Sequence, residues 1–139
     1  MYAVLDTCTL ISALRSRAGA SYAVLQAVRC GRIRIALSVA LAMEYESVAL
    51  RPGMVPGLEV QEVKVVIDVL CALAWQQRIY FLWRPHLMDP GDDMVLELAL
   101  AAGTPYIITN NVRHFAGSDS PGIRAITPAE ALAILRTPP

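Results

Sequence analysis

Short apolar runs alternate along this chain with longer stretches of helical periodicity. Residues 2–5 form an apolar run closed by Asp6 and read as a buried first strand. Ile33 and Ile35 flank Arg34 in a second strand that Leu37 closes, and residues 79–83, 106–109 and 123–126 give a third, fourth and fifth. Between them lie helical patterns. Leu10 to Leu14 allows one helical turn or two, and residues 15–20, with Ser, Gly and charges, read as a loop. Ser21 can cap a helix with the stripe Val24, Leu25 and Val28, ending near Gly31. Ser38 can cap another to about Leu50, with Leu41, Tyr45 and Val48 on one face.

Two Pro and two Gly break residues 51–58, and a long helix follows over 59–75 with Val63, Val66, Ile67, Leu70 and Leu73 inward. Residues 84–91 read as a loop. An apolar helix over 92–102 ends at Gly103, a suitable left-handed cap. Residues 110–120 are polar and irregular. Thr127, Pro128 and Glu130 give a compact capping-box signature for a last helix ending near Arg136. Strands alternating with helices predict an α/β fold: a central parallel sheet of four to five strands with helices on both faces, a three-layer α/β/α sandwich.

Length places all of residues 1–139 in one domain, able to bury a core without staples. The chain is 55% hydrophobic and only 17% charged, which calls for a fully covered sheet, an oligomer interface, or both. No apolar run approaches the roughly 20 residues that span a bilayer, and the first residues lack the pattern of a signal peptide. Cys8, Cys30 and Cys71 are odd in number and widely spaced, with no CxxC or Cys/His cluster, which argues against a zinc site and for reduced thiols in a cytoplasm. Twelve Lys+Arg balance twelve Asp+Glu, which argues against a strong nonspecific nucleic-acid binder. Eleven of the twelve bases are Arg; this fits phosphate-binding forks, and equally a GC-rich genome.

Open parallel sheets place their sites beyond the carboxyl ends of the strands. Asp6 follows the first strand there, and Asn110 and Asn111 follow the fourth. Asp92 and Asp93 open a helix that points them at the same end. Glu44 lies inside a helix between the large side chains of Met43 and Tyr45. Gathered carboxylates repel, and a hard divalent cation relieves the repulsion; acids without His or Cys favour phosphoryl chemistry over a zinc peptidase. Each residue also has a plain structural reading: Asp6 as a cap, Asp92 and Asp93 as acids complementing a helix dipole, Glu44 as a surface residue, Asn111 as a turn former.

Five segments in order carry a family likeness. Val4-Leu5-Asp6-Thr7-Cys8-Thr9-Leu10-Ile11-Ser12-Ala13-Leu14 resembles the opening motif of PIN domains. SVALAMEYESVALRP, from Ser38 to Pro52, looks like their second acidic motif, with Glu44 at the acid position. Asp89-Pro90-Gly91-Asp92-Asp93, followed by Leu96-Glu97-Leu98-Ala99, resembles the third, and Tyr106-Ile107-Ile108-Thr109-Asn110-Asn111 with Phe115 the fourth. Ile126-Thr127-Pro128-Ala129-Glu130 matches the tail of the toxin-component branch. The resemblance implies a metal-dependent endoribonuclease acting on single-stranded RNA, the toxin of a VapBC-like toxin–antitoxin pair. With it come Mg²⁺ or Mn²⁺, a homodimer and a small antitoxin protein that blocks the site.

Carried over by position, the site residues are Asp6, Glu44, Asp92, Asp93 and Asn111, with Asp6, Glu44 and Asp92 as metal ligands. Asp92 is favoured over Asp93 because its helical partners Val95, Leu96 and Ala99 are all apolar, whereas Asp93 reaches Glu97 and so points partly outward. Thr7, Thr109, Arg15 and Arg113 are substrate-binding candidates; for Arg15, Arg17 and Arg113, contact with RNA phosphates competes evenly with simple solubilisation. His114 is read as packing or a loop hydrogen bond, and Trp75, Tyr80 and Trp83 as core or dimer packing ahead of base stacking.

The chain departs from the family pattern twice: Cys8 stands where Asn is usual, and Asn111 where Asp is frequent. Loss of that charge should lower metal affinity, so a PIN-like module with weakened catalysis, binding RNA or a partner, is the alternative function. Cys8 is disfavoured as a nucleophile because a phosphatase-type loop needs Arg where Ala13 stands. A haloacid-dehalogenase-like phosphotransfer domain would need a second Asp at Cys8, and a receiver domain a suitably placed Lys, whereas Lys64 is the only lysine.

Overall fold

The computed structural model describes residues 1–79, 90–115 and 122–137. In chain order it has β1 (Tyr2–Leu5), α1 (Thr7–Arg15), α2 (Ala20–Arg29), β2 (Arg34–Leu37), α3 (Val39–Ala49), α4 (Val60–Leu73), β3 (Trp75–Gln76), α5 (Pro90–Ala102), β4 (Tyr106–Ile108), a 3-10 turn (Val112–Phe115), β5 (Arg124–Ile126) and α6 (Pro128–Arg136). The strands form one parallel sheet in the order β3-β2-β1-β4-β5, covered by helices in an α/β/α arrangement.

β1 is central because both of its faces are covered. Ala3, Val4 and Leu5 are successively buried, so the strand reads as a continuous apolar run rather than an alternating one. Ala3 pairs with Ile35 on one side and with Tyr106 on the other. The chain lays β2 and β3 on one side of β1, then crosses to build β4 and β5 on the other. This reversal makes the gap between the carboxyl ends of β1 and β4 the topological switch point, where open parallel sheets bind ligands.

Single residues turn the strands into helices at that same edge. Asp6, Ser38 and Thr127 follow β1, β2 and β5 and are the N-caps of α1, α3 and α6. Ser38 Oγ accepts from Leu41 N–H at 3.1 Å, as its position predicts. Thr127 Oγ1 accepts from Glu130 N–H, while the Glu130 carboxylate accepts from Thr127 N–H, each at 3.1 Å. These two bonds satisfy two orphan donors at once. Thr127→Ala should therefore lower stability by about 1 kcal/mol, read from the urea midpoint.

The Thr127 N–H, and more weakly Arg124, hold the Glu130 carboxyl below its ordinary 4.5. A depressed folded value means that the contribution is complete above the unfolded value and is lost as pH falls through the folded one. The stability gap between the native chain and Glu130→Gln should thus be constant near neutrality and shrink below about pH 4.5. Denaturant melts from pH 7 to pH 3 check this, and a gap that widens in acid contradicts it.

The structure corrects four expectations. α1 begins at Thr7 and runs through Arg15, so Arg15 is helical rather than in a loop. The cap of α2 is Gly19, not Ser21, and Ala20 already belongs to the helix. α4 stops at Leu73, because Ala74 is extended and Trp75 pairs with Ala36 as β3. Ile79 lies outside any strand, and residues 80–83, predicted as strand, lie outside the described residues, as do 84–89 and 116–121. Gly103 takes a positive φ of 68°, the left-handed conformation expected after α5.

Candidate active site

Asp6 is the pivot of the site. Its cap geometry turns the carboxylate back over the first turn of α1, where Oδ1 accepts from Thr7 N–H at 2.8 Å. Oδ2 accepts from Thr109 Oγ1 at 2.7 Å, joining the ends of β1 and β4 across the switch point. Cys8 Sγ donates to the same oxygen at 3.2 Å. Asp6 is buried, so each of these bonds replaces one to water. The thiol occupies the place where the family usually carries Asn, and it supplies a weaker donor there. Burial, then the charge of Asp6, pushes the Cys8 thiol up, which keeps it protonated and donating.

Thr7 and Tyr45 attach α3 to this centre. Thr7 Oγ1 donates to Glu44 Oε2 at 2.5 Å. The next residue, Tyr45, is fully buried, and its hydroxyl donates to Leu5 O, the last carbonyl of β1. Burial, then the charges of Asp6 and Glu44, raises the Tyr45 hydroxyl well above its ordinary value, so it stays a donor. Tyr45 was legible only as an apolar face residue; its polar role needs two positions 40 apart in sequence. Glu44 is half-buried, not a freely exposed acid.

Thr109 also accepts from Asn111 N–H at 3.0 Å, which curls the chain after β4 over the site. The Asn111 side chain is exposed. The following 3-10 turn is anchored by buried Phe115 and carries His114, whose Nδ1 lies 3.1 Å from Asp92 Oδ2. His114 is thus an exposed residue at hydrogen-bond distance from Asp92. Arg15, Arg17 and Arg113 are all exposed. Arg15 stands in the last turn of α1, about 12–14 Å along the helix axis from Asp6. Trp75 is partly exposed and meets Tyr2 edge-on at 6.5 Å; Tyr80 and Trp83 lie outside the described residues.

Asp93 departs from expectation. It is 3% exposed against 8% for Asp92, so it does not point outward. Glu97, taken as the marker of an outer face, is buried too. The reason is packing: α5 lies against β1, β2, β4, α3 and the 3-10 turn, so it is covered over most of its circumference. Both acids sit in the first turn of α5, where the helix dipole favours negative charge.

The donor set fits a hard divalent cation in kind. A carboxylate offers roughly four lone-pair directions, and Asp6 uses three. Glu44 Oε1 accepts no hydrogen bond among the described residues. Hydrogen-bonded carboxylates of this sort suit Mg²⁺ or Mn²⁺, which take one or two carboxylates and keep several waters. Among the described residues no three of His, Cys, Asp and Glu gather closely enough to enclose an ion, so waters would complete its shell.

The order of these parts, with acids after β1, in α3 and at the start of α5, is that of a known family. The PIN-domain model matches residues 2–113. The chain belongs to the PIN-domain family. In three dimensions it is similar to a chain in the crystal structure of VapBC2 from Rickettsia felis bound to a DNA fragment from their promoter. That likeness has a TM-score of 0.61 at 15% identity, covering 91% of this chain and 98% of the other, and it supports the PIN fold. No curated protein matches the chain. Among the described residues, no helix of this PIN domain is long and apolar enough to cross a membrane.

Proposed function

We propose that this PIN domain is a metal-dependent endoribonuclease that cuts single-stranded RNA. The observation that carries the reading is the Asp6 carboxylate, fixed at the switch point by Thr109, Cys8 and Thr7 N–H, with Glu44 drawn toward it through Thr7. Asp6 would hold Mg²⁺ or Mn²⁺, with Glu44 and Asp92 acting on it through the waters that complete its shell, and with Asp93 and Asn111 beside them. When bound, the ion supplies an activated water and stabilises charge on the phosphoryl group. The protein's own part is positional. Thr7 and Thr109 hold the two acids in fixed rotamers, Tyr45 fixes the height of α3 against β1, and His114 braces Asp92. Arg15 and Arg113, both exposed, would meet the RNA; Thr7 and Thr109, expected to bind substrate, are buried with their hydroxyls engaged by Glu44 and Asp6, and serve to position those acids.

The toxin role extends the same reading. The similarity to a chain from a VapBC assembly supports a small antitoxin as partner; a homodimer and residence in the cytoplasm complete the proposal. Incubation with single-stranded and duplex RNA in Mn²⁺ tests the activity: internal cuts confined to the single strand are expected. Equal cutting of duplex would contradict the substrate assignment.

The second reading, a weakened module that binds RNA or a partner, draws on Cys8 and Asn111. Metal binding with no cleavage of any RNA would favour it. Asn111→Asp separates the two. The restored charge should tighten Mn²⁺ binding by about tenfold, the scale of one added charge interaction worth ~1.4 kcal/mol, and raise cleavage at limiting metal. Unchanged affinity by calorimetry would place position 111 outside the metal's reach.

A further inference from the structure

At the carboxyl edge of the sheet lies a groove of about 340 Å³ whose walls include Ser12, Ser16, Gly19, Ser21, Asn110 and Thr127. Asn110 and Thr127 belong to the carboxyl edge of the sheet, so the groove opens at the same end as Asp6. One side of it is the start of α2. That helix has ten residues and no side-chain cap: Gly19 is the N-cap and offers no acceptor. The N–H groups of Ala20, Ser21 and Tyr22 have no acceptor among the described residues; the first helical bond is Ala23 N–H to Gly19 O. Ser21, more than nine-tenths buried, lines the groove, and its hydroxyl has no partner among the described residues.

These are the attributes of an anion seat: unspent backbone donors at a positive helix end, with the open hydroxyl of an otherwise buried serine beside them. The neighbouring start of α6 is by contrast satisfied by its own capping box, and Glu130 there is engaged by Thr127 N–H and Arg124. A side chain at position 19 would be sterically free: an added Cβ meets nothing within 4 Å, and φ is −91°. Glycine here leaves the donors of α2 open, and no close approach or left-handed turn requires it.

We propose that this groove seats a backbone phosphate of single-stranded RNA, flanking the phosphate that is cut. The inference rests on the nuclease reading of the site. Ser21 O–H and the first-turn N–H groups of α2 would take the phosphate oxygens, with Asn110 and Ser16 at the rim.

The test is equilibrium binding of a short single-stranded oligoribonucleotide in EDTA, followed by fluorescence anisotropy. Gly19→Asp supplies the missing cap and a repelling charge, and should weaken binding by about tenfold, the scale of a lost hydrogen bond to a charged group. Its Tm should equal or exceed that of the native chain, because Asp is a good N-cap, so weaker binding would not reflect unfolding. Gly19→Ala should stay within about twofold, and Ser21→Ala should lose about threefold, a fraction of one hydrogen bond. In amide NMR spectra, the RNA should shift Ala20, Ser21 and Tyr22. Native-like binding by Gly19→Asp with those amides unmoved overturns the subsite and leaves the nuclease reading intact. If the native chain binds no single-stranded RNA, both fall, whatever inorganic phosphate does to the three amides.

Discussion

Asp6→Asn should abolish RNA cleavage, by on the order of 10²–10³-fold or more, while the chain stays folded. Asn caps helices about as well as Asp, so Oδ1 can still accept from Thr7 N–H and α1 keeps its start. The change falls on the other oxygen. Oδ2 accepts from both Thr109 and Cys8, and an amide nitrogen there can accept from neither. The Thr109 hydroxyl can rotate to accept instead, which limits the structural cost. The negative charge that would hold the cation is lost outright. The informative comparison is cleavage rate against urea midpoint. A variant that cuts RNA at the native rate would remove Asp6 from the chemistry, and a variant that unfolds would make its role one of stability.

Tyr45 should give the largest stability effect. The side chain is fully buried, and Tyr45→Ala should cost about 3–5 kcal/mol, the range for deleting a large aromatic from a core. Tyr45→Phe keeps the ring but leaves Leu5 O, a carbonyl beside Asp6, without its donor; about 1–3 kcal/mol is expected. The Phe variant should stay folded at 25 °C and still lose cleavage beyond what its folded fraction explains, because α3 carries Glu44 one residue away. Full activity in a destabilised Phe variant would show that the height of α3 does not matter to the site.

Much of this was readable in the sequence because parallel strands buried on both faces announce themselves as apolar runs. β1, β2 and β4 did so, and Ser38, Gly103 and Thr127 marked helix ends by the orphan groups they satisfy or the conformation they allow. β3 was not readable. It has two exposed residues, and its existence depends on pairing with Ala36 and Leu37, while the apolar period of α4 runs into it without a break. The burial of Asp93 is not readable from a single apolar stripe, because α5 is covered over most of its surface. Asp6 and Glu44 were legible as motif acids. Their support was not: the Thr7–Glu44 and Tyr45–Leu5 bonds join elements far apart in sequence, and no local pattern encodes them.

The central claim is that the acids at the switch point act through a divalent cation. Its most direct test is cleavage of a single-stranded RNA by the purified chain, first with EDTA and then with Mn²⁺ added back in excess. The account predicts internal cleavage that stops in EDTA and returns with Mn²⁺. Cleavage that continues undiminished in EDTA would contradict it.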